Sequence, residues 1–159
     1  MPLRKVYPRA SLPRILARRR AGGKKVVFTN GCFDILHVGH VRYLAKASSM
    51  GDLLVVAVNS DASVRRIKGK GRPVNSEMDR AEVLSALRFV DYVTIFNEET
   101  PLETIVMLKP DVLVKGSDWG RNEVVGRREV EASGGRVIRV RLSKGFSTTS
   151  IIGKIRKSG

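Results

Sequence analysis

Apolar and polar positions along this chain follow two rhythms, and the rhythms take turns. Short runs dense in apolar and β-branched residues read as strands: Lys24 to Thr29, which is buried, Asp52 to Asn59, which is apolar on both faces, and Asp91 to Phe96, Asp111 to Lys115 and Arg136 to Leu142. Between them, apolar residues recur every three or four positions, as on one face of a helix. That spacing predicts helices from Val38 to Ser49, Ser76 to Leu87, Pro101 to Lys109, Glu123 to Ser133 and Thr148 to Arg156. A further short helix, capped by Ser11 and tolerating Pro13 in its first turn, runs through Ala21. Asn75 or Ser76 caps the helix that follows it, and Thr100 caps the one that opens with Pro101. Gly22-Gly23, Gly51 and Gly134-Gly135 are stop signals. Asp61 to Pro73 reads as a basic loop with at most a short helix.

Strands that alternate with helices give a parallel sheet with right-handed crossovers. The expected fold is therefore α/β: a Rossmann-like, doubly wound, five-stranded parallel sheet with helices on both faces, in a single domain. Residues 1–23 form a basic N-terminal segment with a short helix, and residues 24–159 form the domain proper. In such sheets a ligand binds beyond the C-terminal strand ends, where the strand order reverses.

Composition narrows the picture. The chain has 159 residues and 42% hydrophobic content, enough for one core. No apolar run approaches the ~20 residues that span a bilayer. The N-terminus is charged but lacks the apolar stretch of a secretory signal. Cys32 is the one cysteine, which excludes an intramolecular disulfide framework and fits a reducing compartment. A cytoplasmic location is expected. The net charge is +15. Such a charge suits either a nucleic-acid partner or the capture of small anions at a basic cleft. The cations are scattered, and aromatic residues make up only 6%, too few for a platform that stacks single strands.

Val26-Val27-Phe28-Thr29-Asn30-Gly31-Cys32-Phe33-Asp34-Ile35-Leu36-His37-Val38-Gly39-His40 changes the picture most. An apolar strand runs into a glycine turn, and the only two histidines follow three residues apart. Three residues along a helical turn share a face. The turn places both imidazoles beside the N–H groups of a helix start, a ready site for phosphate. For one histidine alone, capping or core packing is the simpler reading. A zinc pair lacks a third ligand with suitable spacing.

The run Gly31-Cys32-Phe33-Asp34-Ile35-Leu36-His37-Val38-Gly39-His40 resembles the signature of the cytidylyltransferase-like nucleotidyltransferases. The HxGH element alone is weak and is shared more loosely with class I aminoacyl-tRNA synthetases; the longer run is specific. The likeness extends from about residue 24 to the C-terminus. It includes Val58-Asn59-Ser60-Asp61, Gly69 to Asn75, Asp79-Arg80, Val114-Lys115-Gly116-Ser117-Asp118-Trp119 and Gly145-Phe146-Ser147-Thr148-Thr149. These are most similar to the adenylyltransferase domain of ADP-heptose synthesis. The resemblance implies transfer of AMP from ATP to D-glycero-D-manno-heptose 1-phosphate, with Mg2+ carried by the triphosphate and no metal ligands from the protein. It also implies a homodimer without a membrane or nucleic-acid partner. A separate heptose kinase would supply the substrate, since the chain given has no room for a kinase domain.

The resemblance also implies roles. His37, His40, Lys68 and Arg80 are the expected catalytic residues. Phe28, Thr29, Asn30, Gly31, Cys32, Phe33, Lys115, Gly116, Ser147, Thr148 and Thr149 are expected to join the two histidines in binding the nucleotide. Asn59, Asp61, Arg80, Asp118 and Trp119 are expected at the acceptor substrate. Bland alternatives stand beside several of these. Lys68 and Lys70 suit a solvated basic loop, Arg80 a helix surface, Ser147 to Thr149 plain capping and Trp119 a core anchor. Asp34 is expected to cap the following turn rather than take a direct catalytic role, Lys46 to face solvent, and Cys32 to be a small buried residue rather than a nucleophile. Gly116-Ser117-Asp118-Trp119 departs from the Gly-Gly-Asp-Tyr of the heptose enzymes, and its tryptophan resembles glycerol-3-phosphate cytidylyltransferase. That enzyme is the rival reading; a basic nucleic-acid-binding module is a more distant one.

Overall fold

The apolar runs pair as a parallel sheet. A computed structural model describes residues 5–117, 120 and 124–158. Its strands are β1 (Val26–Gly31), β2 (Leu53–Asn59), β3 (Tyr92–Phe96), β4 (Val112–Gly116) and β5 (Arg136–Val140), in the spatial order β3-β2-β1-β4-β5. Every neighbouring pair is parallel. The helices are α1 (Leu12–Ala21), α2 (Val38–Ser48), α3 (Asp61–Lys68), α4 (Glu77–Ser85), α5 (Leu102–Leu108), α6 (Arg127–Ala132) and α7 (Thr148–Ser158). From β1 the chain winds outward to β2 and β3, then returns to lay β4 and β5 on the other flank. The order therefore reverses between β1 and β4, where α/β sheets bind ligands.

Side chains alternate between the two faces. Val27, Leu54, Val56 and Val58 pack with Tyr43, Leu44, Ala47, Ala81 and Leu84 of α2 and α4. Val26, Phe28, Val55 and Ala57 pack on the opposite face with Leu12 and Leu16 of α1 and Ile105, Leu108 and Val130 of α5 and α6. Residues 5–23 thus share the sheet's core. Val6 bridges Val93 at the β3 edge, with Tyr7 N donating to the Val93 carbonyl and Val93 N to that of Lys5. An exposed edge is covered by this pairing.

Three aspartates stitch the register. Asp52, Asp91 and Asp111 precede β2, β3 and β4. Their carboxylates accept from the N–H groups of Lys25, Leu54 and Val26 at 2.8, 2.8 and 2.7 Å. Each side chain therefore caps the neighbouring strand rather than extending its own, so the strands begin one residue later than the apolar pattern predicts.

At the far end, β1 and β4 part. They pair only through Val27–Val112 and Phe28–Leu113, whereas β1 stays with β2 through Gly31. Thr29 fills the split. Its Oγ1 lies 3.0 Å from the Val114 carbonyl and 2.8 Å from the Tyr43 hydroxyl, which itself donates to Val114 at 3.1 Å.

Helix ends depart from expectation for local reasons. Ser60 accepts from Ser63 N and starts α3, the short helix allowed for within the expected basic loop, leaving residues 69–75 as the loop. Ser76 caps α4, since Asn75 is engaged elsewhere. Pro101 precedes α5 without a side-chain cap, so Thr100 does not serve as one. Helix α6 starts after Gly126, later than the expected Glu123, a residue outside those described. No helix among the described residues is long and apolar enough to cross a membrane.

Candidate active site

The split between β1 and β4 opens into a cleft of about 400 Å³. Its floor is Asn30, Gly31, Cys32 and Phe33, where β1 turns toward α2. The start of α2 forms one wall. His37 is the N-cap residue: its backbone is extended and its Nδ1 accepts from His40 N at 3.4 Å. A neutral imidazole that accepts at Nδ1 carries its proton on Nε2, where it can donate to an anion. The two rings stack with centroids 3.8 Å apart and planes inclined by 21°. The three-residue spacing thus becomes an N-cap and third-position pair rather than two positions on a helix face.

Both imidazoles are hard to charge in the free protein. Burial lowers His37 below its ordinary value. For His40, burial first and then the neighbouring His37 push it down to about 4, against a smaller opposing pull from the Ile35 carbonyl.

The opposite wall is the start of α7. Ser147 Oγ accepts from Ser150 N at 3.0 Å, and Thr148 Oγ1 donates to the Ile35 carbonyl at 3.3 Å, which ties this helix to the β1 turn. Ser147, Thr148 and Thr149 all line the cleft, as do Lys115 and Gly116 at the end of β4. Lys115 Nζ bonds Asn30 Oδ1 across the split. Lys68 and Arg72 reach in from the other side. Lys46 and Lys70 are exposed and do not line the cleft. A second recess of about 350 Å³ shares Asn30, Gly31, Cys32, Lys68 and Lys115, and adds Asn59, Thr100 and Pro101. Two hollows therefore meet over the last residues of β1.

Four of the residues expected at ligands sit elsewhere. Phe28 is fully buried in the core, because alternate strand positions face opposite ways. Thr29 lies beneath the cleft, satisfying Val114. Arg80 is 2% exposed: its guanidinium donates to the carbonyls of Cys32 and Asn75 and to Asp61 Oδ1, the last at 2.8 Å. That engagement also takes Asp61 away from the acceptor side. Asn59 is buried, with Nδ2 on Ser63 Oγ at 3.0 Å, and reaches the second recess. Asp118 and Trp119 lie outside the described residues.

Asp34 does not cap the following turn. Its fully buried carboxylate accepts from Arg72 Nε at 2.6 Å and from Val74 N and Asn75 N at 2.8 and 3.1 Å. Asn75 Nδ2 returns a bond to the Asp34 carbonyl at 2.7 Å. Burial alone would push this carboxyl up. The Asn75 and Val74 N–H groups and the Arg72 guanidinium outweigh it and hold the group below its ordinary value. The clamp fixes the loop 69–75 at the cleft side. Arg72, Tyr43 and Phe146 also line the cleft, although sequence reasoning gave them no role. Arg72 and Phe146 stood inside the quoted motifs, which was the available signal.

Among the described residues, no three His, Cys, Asp or Glu side chains gather as a metal cage. Asp34, the carboxylate at the cleft, is fully engaged. The donors are cations and N–H groups, a set that fits phosphate oxygens.

The bifunctional protein HldE of Syntrophotalea carbinolica is 56% identical over 151 residues, covering 95% of this chain and 31% of that protein. HldE of Geobacter sulfurreducens is 58% identical, over 91% of this chain and 29% of its own length. The chain thus spans under a third of the curated relatives it matches. A crystal structure of a lipopolysaccharide core biosynthesis protein from Thermoplasma volcanium superposes with a TM-score of 0.63 and 35% identity, covering 78% of this chain and all of that one. Residues 28–154 match the cytidylyltransferase-like family. The chain belongs to the cytidylyltransferase-like nucleotidyltransferases.

Proposed function

We propose that this chain transfers AMP from ATP to D-glycero-D-manno-heptose 1-phosphate, giving ADP-heptose and pyrophosphate for lipopolysaccharide core synthesis. The observation that carries the reading is the stacked His37–His40 pair, which faces the Ser147–Thr149 helix start across a cleft lined by Lys68, Arg72 and Lys115. Such a cleft is built for a polyphosphate. The likeness to HldE proteins supports the choice of nucleotide and sugar.

An oxygen of the acceptor phosphate attacks the α-phosphorus in line. A new P–O bond forms as the bond to the β-phosphate oxygen breaks, and pyrophosphate leaves. No covalent enzyme intermediate is required, so the protein positions the reactants and stabilises charge. His37 and His40 hold the triphosphate near the α-phosphate. The α7 start and Lys115 take the departing phosphates, Lys68 draws the acceptor phosphate to the second recess, and Arg72 adds charge at the cleft. Magnesium bound to the triphosphate supplies charge neutralisation. Arg80 and Asp61 act from beneath by fixing the Cys32 carbonyl. The active species is a homodimer, and the acceptor comes from a kinase reaction that phosphorylates the anomeric hydroxyl of a heptose.

The test is a pyrophosphate-release panel that crosses ATP and CTP with both anomers of heptose 1-phosphate and with glycerol 3-phosphate. Release with ATP and one heptose anomer is expected. Release only with CTP and glycerol 3-phosphate, or with no sugar phosphate at all, would refute it.

A further inference from the structure

A column of rings crosses the mouth of the cleft. Phe33 meets the His40 ring edge-on, with centroids 5.3 Å apart. His40 stacks on His37. His37 in turn faces Phe146 at 6.4 Å, their planes 24° from parallel. Arg42 closes the outer end, its Cζ 5.7 Å from the Phe146 centroid. The inner end is fixed by packing, for Phe33 lies so close to Gly31 that a β-carbon there would sit 3.0 Å from its ring. The outer end rests on Phe146, which is 44% exposed and belongs to neither core cluster. Gly39 lets this end close: a β-carbon at that position would lie 2.9 Å from the His37 ring and 3.1 Å from Phe146 Cβ.

We infer that Phe146, steadied by Arg42, is the positioning residue for His37, forming the outer wall that sets the imidazole plane and keeps water from it. The inference rests on the reading of the two histidines as the pair that handles phosphate. An imidazole torsion is broad, so a ring with one stacking partner and one long cap bond can turn. A second aromatic face narrows that freedom, and a guanidinium over the outer face of Phe146 narrows the motion of Phe146 in turn. Phe146 also directly precedes Ser147, so the residue that walls His37 carries the opposite phosphate-facing helix start. The titratable and charged side chains around His37 are His40 and Arg42 on α2, Lys68 at the end of α3, Arg72 with its partner Asp34, and Lys115 on β4.

Because the chain has only two histidines, its imidazole Cε1–H signals form a two-line NMR titration. Phe146→Ala should move the His37 midpoint up toward the ordinary imidazole value while His40 stays low, which also reports that the fold is kept. The same variant should lower kcat about 10- to 100-fold, with a much smaller change in KM for the nucleotide. Phe146→Tyr should restore both readouts, and Arg42→Gln should shift the His37 midpoint in the same direction by less. The kinetic arm uses whichever nucleotide and acceptor pair turns over, so a wrong assignment of the sugar is seen separately in the wild type. An unmoved His37 midpoint or an unchanged kcat in Phe146→Ala overturns the inference. A rise in KM alone also overturns it and makes Phe146 a wall for the nucleotide instead.

Discussion

The His37 and His40 rings stand face to face, 3.8 Å between centroids, at the first turn of α2. Burial disfavours charge on both rings, and a charged His37 would further oppose charge on His40, so at neutral pH the neutral pair predominates. A bound polyphosphate reverses the preference, because anionic oxygens favour the protonated form. Nucleotide binding should therefore take up protons, increasingly so as the pH falls from 7 toward 5. Calorimetric titrations in buffers of different ionisation enthalpy measure this uptake. Heats that do not depend on the buffer across that range would show that the pair stays neutral in the complex.

The same pair shapes acid stability. In the unfolded chain a histidine titrates near its ordinary value of about 6.5, whereas folded His40 does so at about 4. Between those values the unfolded state binds protons that the native state refuses. The contribution of His40 is then complete above pH 6.5 and is lost as the pH falls toward 4. Asp34, held below its ordinary value, adds its own loss at still lower pH. Urea midpoints from pH 8 to 4 should decline less steeply in His40→Asn than in the wild type above pH 4. Parallel curves would contradict the assignment.

Breaking the Asp34 clamp should free the loop 69–75. Asp34→Asn keeps the shape but removes the charge that faces Arg72, with an expected loss of about 2–3 kcal/mol. Trypsin should then cut at Lys70 faster than in the wild type, and kcat/KM should fall, since Arg72 and Lys68 line the cleft. Unchanged proteolysis together with normal activity would show that the loop holds itself.

Arg80 and Lys68 should separate cleanly. Arg80→Lys cannot reach the carbonyls of Cys32 and Asn75 and Asp61 together, and should lose about 3 kcal/mol of stability. Lys68→Ala should raise KM while leaving the unfolding midpoint within about 0.5 kcal/mol of the wild type. If Arg80→Lys folds normally and instead raises KM, the arginine contacts substrate in the working complex.

His40→Ala should keep a cooperative unfolding transition yet lose about 100- to 1,000-fold in kcat, the scale for removing one preorganised donor. Near-normal turnover would remove the histidine from the mechanism.

The alternation of helix and strand was legible because short runs rich in β-branched residues take turns with longer stretches at helical spacing. The two histidines and the Ser147–Thr149 turn were legible because each sits beside a helix start. What escaped was decided by partners distant in sequence. Arg80 reads as one more arginine on an amphipathic helix, yet its partner carbonyl lies 48 residues away at Cys32. Asp34 reaches 38 residues to Arg72. Phe28 and Thr29 stand inside the nucleotide-binding motif, yet strand alternation sends one into the core and the other under the split. Phe146 carries no polar atom, so only the neighbouring imidazole reveals it.

The strand-start aspartates also divide the sheet into two ends with different freedoms. A one-residue slip would pull three backbone N–H groups from their carboxylates at once, so misaligned sheets are penalised at three separate joints. With alignment secured at that rim, the opposite rim is free to diverge, leave strand tips unpaired and carry long basic loops. Loops grafted around the cleft should then alter which acceptor is used without scrambling the scaffold. The chain separates, in effect, an end that remembers the fold from an end that can be rewritten.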